Sequence, residues 1–298
     1  MSTNTSVTGA VRAATRRRRA ARRWRAAIPF LLPAIVLLLL LRVVPTIQAF
    51  GEAVPLGSER SPLSNFAYIF SDPSFWNSVR VTLLFAVVIN PLQIALALGL
   101  AVLLTRQLPL AGLWRTLLLL PIAVPQVVSA IVWLVLLRPD GPLNGIATAL
   151  GLPSVPWLTE PGWSLGSVII VCSWVGVGYW MTFLVTGIRE IPESLYEASA
   201  IDGAGPWRQF WNITIPGLHR PLLFVLVADT VSNFLVFAPV RVLTQGGPQG
   251  STDLIMYNIS ERAYAFGDTQ AASAATIVLI VIVVAVVAVQ FRLLPGNE

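Results

Sequence analysis

Few side chains in this sequence can donate, accept or carry charge inside its apolar stretches, and those few can be named. Asp229 and Asn233 stand four residues apart in the apolar run from Pro221 to Val240. At helical spacing they share one face. An acid within such a run is costly unless it faces a cavity or a partner. The pair could line a path for a polar solute. Alternatively, it seats against another subunit, or Asp229 pairs with Arg241 or Arg42. Asn90 and Gln93, with Trp133, Trp174, Tyr179 and Trp180, add amides and aromatic faces in neighbouring apolar runs. Rings together with hydrogen-bonding groups suit a polyhydroxylated ligand, although each ring taken alone more often packs a core or marks a membrane interface. Cys172 reads as a buried packing residue.

Other chemistries are excluded by what is missing. All twenty basic residues are Arg. A phosphate-binding Walker loop needs its Lys, so the chain carries no such ATPase site of its own. Schiff-base catalysis is excluded for the same reason. One His and one Cys leave no ordinary zinc site, internal disulfide or histidine relay. No catalytic constellation remains, and no metal or cofactor is expected in this chain.

The elements that must position these residues are membrane helices. Apolar residues make up 55% of the chain and charged residues 11%, against about 25% charged in soluble domains. Residues 1–25 carry eight arginines and read as a disordered cytoplasmic tail that fixes topology and attracts anionic lipid, rather than a nucleic-acid arm. The membrane-spanning body covers 26–293. Apolar runs of the length needed to cross a bilayer place spans at about 28–50, 80–105, 116–137, 165–187, 221–240 and 270–291. Residues 51–79, 138–164 and 241–269 read as loops on one side of the membrane. Asn90-Pro91 is expected to kink the second span, and Arg42 sits awkwardly in the first. Six spans put both termini on one side, and the arginines of 1–25, 106–115 and 188–220 make that side the cytoplasm of a cell-membrane protein.

The polar stretch 188–219 is the longest interruption of the second half. Pro192 suits the first position of a short helix, and Glu193 and Glu197 suit its dipole. Gly203 is placed to end that helix in the left-handed conformation. Gly205-Pro206 restarts the chain into a second short helix, Trp207 to Ile213, and Pro216 ends it and aims the chain back into the membrane. The expected product is a helix–turn–helix knob on the cytoplasmic face. Its Ala198-Ser199-Ala200 run is small enough for another protein to approach closely.

This stretch resembles the EAA loop of membrane subunits of binding-protein-dependent ABC importers. Glu197, Ala198, Gly203, Ile213 and Pro216 stand at the family spacing, with Ser199 and Ile215 replacing an Ala and a Leu. The resemblance extends over about residues 27–293. It looks closest to the sugar and glycerol-phosphate subgroup through Asp140-Gly141-Pro142-Leu143-Asn144, Pro121 and Pro125, and Thr244-Gln245-Gly246-Gly247-Pro248. Ala238 departs from it, since many relatives carry Asp after that aromatic.

The resemblance implies an all-α integral membrane protein with six transmembrane helices and a cytoplasmic coupling helix–turn–helix. It implies a sugar, polyol or glycerol-phosphate permease without enzymatic activity. The implied partners are a second permease, two ATPase subunits that bind ATP and Mg, and an extracytoplasmic substrate-binding protein. Glu197 and Asp202 would contact the ATPase, although Asp202 also suits a cap or a solvated acid, and Ala198, Gly203 and Pro216 would shape the coupling loop. The rival class is an ion-coupled secondary transporter, which calls for paired intramembrane acids or repeated broken helices.

Overall fold

The computed structural model describes residue 29 and residues 31–54, 61–105 and 109–293. The basic arm 1–25, residues 28 and 30 of the first expected span and residues 106–108 of the link 106–115 lie outside them. Two compact units divide at Pro62. The first contains α1 (Leu31–Ala53), of mean hydropathy 2.1 and not buried against its own unit. A π-helical turn, Leu39–Val43, holds Arg42 within it, and the Thr46 hydroxyl donates to the Arg42 carbonyl at 2.7 Å.

The second unit begins at Leu63 and is built of helices joined by turns and irregular stretches, without a strand among its described residues. It opens with α2 (Ser64–Ser71) and α3 (Pro73–Thr105). The loop expected over 51–79 is therefore largely helix. Pro73 starts α3 seven residues before the expected span because its missing N–H is harmless in a first turn. The helix runs on through Pro91 without a break.

The expected third span is corrected. It is two helices, α4 (Ala111–Ala123) and α5 (Gln126–Leu136), bent by 100°. Pro125 causes the bend: its ring disfavours the helical conformation at the preceding residue, and Val124 is extended at φ −91°, ψ 129°. Among the described residues, five helical segments are long and apolar enough to cross a membrane, and six if this bent pair is one span.

After it come α6 (Pro142–Ala149) and α7 (Pro161–Arg189). Buried Asn144 ties the segment between α5 and α7 together. Its amide oxygen accepts from Val155 N at 2.9 Å and Trp157 Nε1 at 3.2 Å. Its Nδ2 donates to the carbonyls of Pro139 and Val155 at 3.2 and 3.1 Å. A Cβ on Gly141 would lie within 3 Å of three carbonyl oxygens, so the Asp140–Asn144 run is a folding device.

The polar stretch 188–219 forms α8 (Glu193–Ile201), α9 (Pro206–Gln209), a π-helical turn (Phe210–Thr214) and the short α10 (Ile215–Gly217). The expected fifth span is α11 (His219–Phe234) and α12 (Ala238–Leu243), separated just before Pro239. Then follow α13 (Ile255–Ser260), a π-helical turn (Glu261–Ala265) and α14 (Thr269–Leu293). Helix α3 packs along α7. Helix α11 packs on α3, α7 and α14, while α4 lies on α7 and α5 on α12. One core gathers Phe85, Ile89, Val168 and Val240, and a second gathers Ala97, Ala101, Leu184 and Val225. Across their apolar windows α7 is 61% buried and α14 only 22%, which makes α7 the axis of the unit and α14 its outer wall.

The 244–262 segment covers the N-terminal end of α3. The Ile255 N–H donates to Thr82 Oγ1 at 2.7 Å, and Asn77 donates to the Gly250 carbonyl at 2.9 Å. Gly246 has φ +80°, and a Cβ there would meet the Tyr257 ring at 2.9 Å. Arg262 pairs with Asp72 and donates to Asn258 Oδ1 at 2.8 Å, while Asn258 donates to Asp253 Oδ2 at 3.1 Å.

Burial pushes the Asp253 carboxyl up to about 6, against the lowering effects of Asn258 and Arg262. Burial raises Asp72 as well, but the Arg262 guanidinium and the Ser74 N–H outweigh it and hold that carboxyl below its ordinary value. The signs are opposite. Asp253 favours folding while protonated and loses that contribution as pH rises toward about 6. Asp72 contributes above the ordinary carboxylate value and loses its contribution only as pH falls below it. Amides of 253–262, corrected for intrinsic exchange, should therefore be better protected near pH ~4.5 than near pH ~7, and Asp253→Asn should flatten that difference. Hydrogen exchange on both forms checks it.

Candidate functional site

Helices α3, α11 and α14 bring a buried set of polar side chains together. Asn233 Nδ2 lies 2.7 Å from Asn90 Oδ1, 3.1 Å from Asp229 Oδ1 and 3.2 Å from Gln93 Oε1. Its two hydrogens are thus shared among three acceptors. Asn90 Nδ2 donates to Thr230 Oγ1 at 2.9 Å, and Gln290 Nε2 donates to the same hydroxyl at 2.7 Å. Asn90, Gln93, Asp229, Thr230 and Asn233 are all buried. A buried polar group without a partner loses its hydration uncompensated, so the network is what permits these residues inside the bundle. Beside the network, the Trp180 side chain faces the Asp229 carboxyl, and Gln290 Oε1 is buried without a hydrogen-bond partner among the described residues.

Asp229 borders a cavity of about 200 Å³, whose lining also includes Gln93, Gln126, Tyr179, Trp180 and Asn233. Gly176 makes room for the network, since a Cβ there would stand 2.8 Å from Gln93 Nε2. Tyr179 and Trp180 meet edge to face at 4.7 Å between ring centroids. Trp180 is 5% exposed and Tyr179 43%, so one ring forms a wall and the other an open edge.

The sequence-derived candidates divide accordingly. Gln93, Asp229, Asn233, Tyr179 and Trp180 line the cavity, with Asn90 behind Asn233. Trp133 and Trp174 pair with each other edge to face at 5.8 Å and are not in its lining. Arg241, considered as a partner for Asp229, pairs with Glu261 instead. Thr230, Gln126 and Gln290 were not among the candidates. Gln290 is the single amide in the apolar run 277–291, a signal obscured by its position near the end of the helix.

The second site is the knob. Pro192 precedes α8 as its N-cap at φ −57°, ψ 128° rather than occupying its first turn. Gly203 has φ +77°. Gly203 N donates to Ala200 O at 3.0 Å and Ala204 N to Ser199 O at 2.9 Å, the paired bonds of a Schellman ending. Gly205 and Pro206 then begin α9.

The second helix is longer than the expected Trp207 to Ile213. It continues through the π-helical turn, where the Ile215 N–H reaches back to Phe210 O. Pro216 lies inside the last turn, and the turn ends at Leu218. Ser199 Oγ donates to Tyr196 O at 2.9 Å, and Gln209 Nε2 donates to Ser199 Oγ at 2.9 Å and Tyr196 O at 3.1 Å. Tyr196 Oη and Thr214 Oγ1 are 2.9 Å apart. These bonds lock the two helices into one body.

The outer surface of that body is free. Glu197, Ala198, Asp202, Gly203 and Pro216 are exposed. Ile201 is 87% exposed and Trp207 73%. Glu197 and Asp202 form no ion pair with a described residue. Apolar side chains beside unpaired carboxylates are what an interface presents before its partner arrives. No cluster of three or more metal-ligating side chains occurs among the described residues.

Comparison with known proteins agrees with this architecture. The chain is 33% identical over 278 residues to the sn-glycerol-3-phosphate transport system permease protein of Brucella abortus, covering 90% of this chain and 94% of that one. It is 33% identical over 245 residues to the lactose transport system permease protein of Rhizobium radiobacter, covering 78% and 82%. Its fold matches a chain of a bacterial ABC transporter involved in importing the acidic polysaccharide alginate, with TM-score 0.80, 21% identity and coverage of 93% and 98%. It matches equally well, with TM-score 0.81 and 22% identity, a chain of the alginate transporter in complex with an alginate pentasaccharide-bound periplasmic protein, covering 92% and 95%. The model of the binding-protein-dependent transport system inner membrane component matches residues 9–296, and this chain belongs to that family.

Proposed function

We propose that the chain is one permease half of an ATP-driven importer for a carbohydrate or polyol. A second permease completes the path, two ATPase subunits bind ATP and Mg, and a binding protein outside the membrane delivers the solute. Both termini and the knob lie in the cytoplasm, and the 244–262 segment faces outward. The observation that carries this reading is the pairing of an internally braced, externally unpaired knob with a buried polar network that borders an open-edged cavity in the same unit.

The chain contributes its share of the cycle, docking and a path for the solute, without making or breaking a covalent bond. Glu197 and Asp202 present carboxylates to cations on the ATPase, and the Ser199–Gln209–Tyr196 bonds make the knob move as a piece. Closure of the ATPase pair then shifts the bundle between two packings. The side chains around Asp229 and Asn233 offer the solute replacement hydrogen bonds as it crosses. Pro125 marks the place where α4 and α5 can change angle.

The test is uptake of labelled sugar by vesicles holding the assembled complex with its binding protein. Uptake should require ATP and persist when ionophores collapse the ion gradients. Uptake without ATP that stops with the ionophore would reject the reading.

A further inference from the structure

We propose that the groove where α7 and α11 meet the knob binds a zwitterionic phospholipid of the ethanolamine type, with Arg220 holding its phosphate and Glu190 its ammonium. This goes beyond the importer reading. It needs only that α7 and α11 cross a membrane, and it leaves the transported solute open.

The ends of two spans set the place. Helix α7 ends at Arg189 and α11 begins at His219, so Glu190 and Arg220 lie at the level of lipid headgroups. Two cavities open there, of about 530 and 620 Å³, within the ~300–1,000 Å³ range of small-molecule sites. They share Gly187, Glu190, Arg220 and Pro221 and so form one groove. A Cβ on Gly187 would stand 2.7 Å from Pro221 Cγ and 2.9 Å from Leu218 Cδ2. The two helices therefore touch at the floor, and an occupant lies over their crossing rather than between them.

One arm of the groove is apolar. Phe183 and Phe224 form its wall, with ring centroids 5.4 Å apart, and Phe224 is 54% exposed. Thr182 and Thr186 donate their hydroxyls to the carbonyls of Gly178 and Thr182, both at 3.1 Å, which leaves methyl surface for an acyl chain. The other arm runs past Ile213 and Pro216 of the knob and includes His219.

The charges of the groove name its ligand. Glu190 and Arg220 both line it, yet neither forms an ion pair with the other or with another described residue. Opposite charges that share a cavity without joining match a ligand that carries both. A phosphoethanolamine headgroup does so: its phosphate suits the guanidinium, and its ammonium brings N–H donors to the carboxylate. An anionic lipid would set uncompensated negative charge beside Glu190. A choline headgroup has no ammonium hydrogen to donate, and soluble phosphoethanolamine has no chain for the phenylalanine wall.

The test is native mass spectrometry of the assembled complex, titrated with phosphatidylethanolamine, phosphatidylcholine and phosphatidylglycerol of identical acyl chains. The ethanolamine lipid should bind saturably and ~10-fold more tightly than the other two. Glu190→Gln should weaken it by ~10-fold and leave phosphatidylglycerol unchanged or tighter. Arg220→Gln should weaken all three, since each carries a phosphate. Both side chains are exposed, so neither substitution disturbs the core. Arg189→Gln is the control: Arg189 is the neighbouring charge and lines neither cavity, and its loss should leave all three affinities close to wild type.

Equal affinity for the three lipids, parallel loss of all three in Glu190→Gln, or a loss in Arg189→Gln as large as that in Arg220→Gln each overturns the inference. So does the absence of saturable binding, the result expected if a second permease covers the groove. ATP-driven uptake is read separately, so the importer reading stands or falls independently of this one.

Discussion

Substrate-stimulated ATP hydrolysis by the assembled importer should fall by ~10-fold or more when Gly203 is replaced by valine, while membrane insertion and thermal stability stay close to wild type. Gly203 has φ +77°, and nothing lies within 4 Å of where its Cβ would be. The expected damage is therefore conformational, not steric crowding. A β-branched residue in the left-handed region is a backbone outlier, costing of order 1–2 kcal/mol or more. The simplest relief is to give up the two Schellman bonds to Ala200 and Ser199. The last turn of α8 would then unwind, and Asp202 would leave its position relative to Glu197. Because this end of the knob is exposed, little of the core depends on it. Gly203→Asn is the control, since Asn also enters the left-handed region at small cost, and it should retain most of the coupling. Hydrolysis that is unchanged in the valine form, or lost equally in the asparagine form, would show that the turn does not transmit force.

That prediction could be written from the sequence because Gly203 is constrained locally. A helix rich in early acids, a glycine and then Gly205-Pro206 leave few conformations for the chain. The long spans were legible for a similar reason, since the 80–105 part of α3 follows from local composition and length, whereas its first seven residues, Pro73 to Val79, read as loop. Other features depended on atoms far apart in the chain. Pro121 and Pro125 both read as features of one span, yet Pro121 stays within α4 and Pro125 bends the chain by 100°. Their different outcomes depend on whether the preceding residue turns extended, and Val124 does. The helix Ser64–Ser71 was hidden by flanking prolines and polar residues. Its stability comes from packing on α14, which no local pattern reports. Asp229 with Asn233 was visible as a stripe, but Thr230 and Gln290 joined the cluster only through contacts 60 residues apart. Ser199, a departure from the family pattern, turned out to brace the knob by accepting from Gln209.

Gly178→Ala should be the more damaging change to the fold, lowering stability by ~2 kcal/mol or more, within or above the usual range for overpacking. A Cβ on Gly178 would lie 2.1 Å from the Leu118 carbonyl oxygen and 3.1 Å from its carbon. Both atoms belong to the backbone of α4, so no rotamer change can relieve the clash, and α4 must move away from α7. Gly176 makes the contrast, because its nearest neighbour is the end of the Gln93 side chain, which can swing. Displacing α4 would also reach the cavity, since Ile122 lies on that helix and Gln126 just beyond the Pro125 bend, and both line it. Transport should therefore drop along with stability. Gly99→Ala is the matched control: Gly99 is helical with nothing within 4 Å of its Cβ position, and an added methyl there should be neutral or mildly stabilising. Thermal unfolding of the assembled complex in detergent compares the two. Equal midpoints for Gly178→Ala and Gly99→Ala would show that α4 and α7 are not held at the separation on which this packing depends.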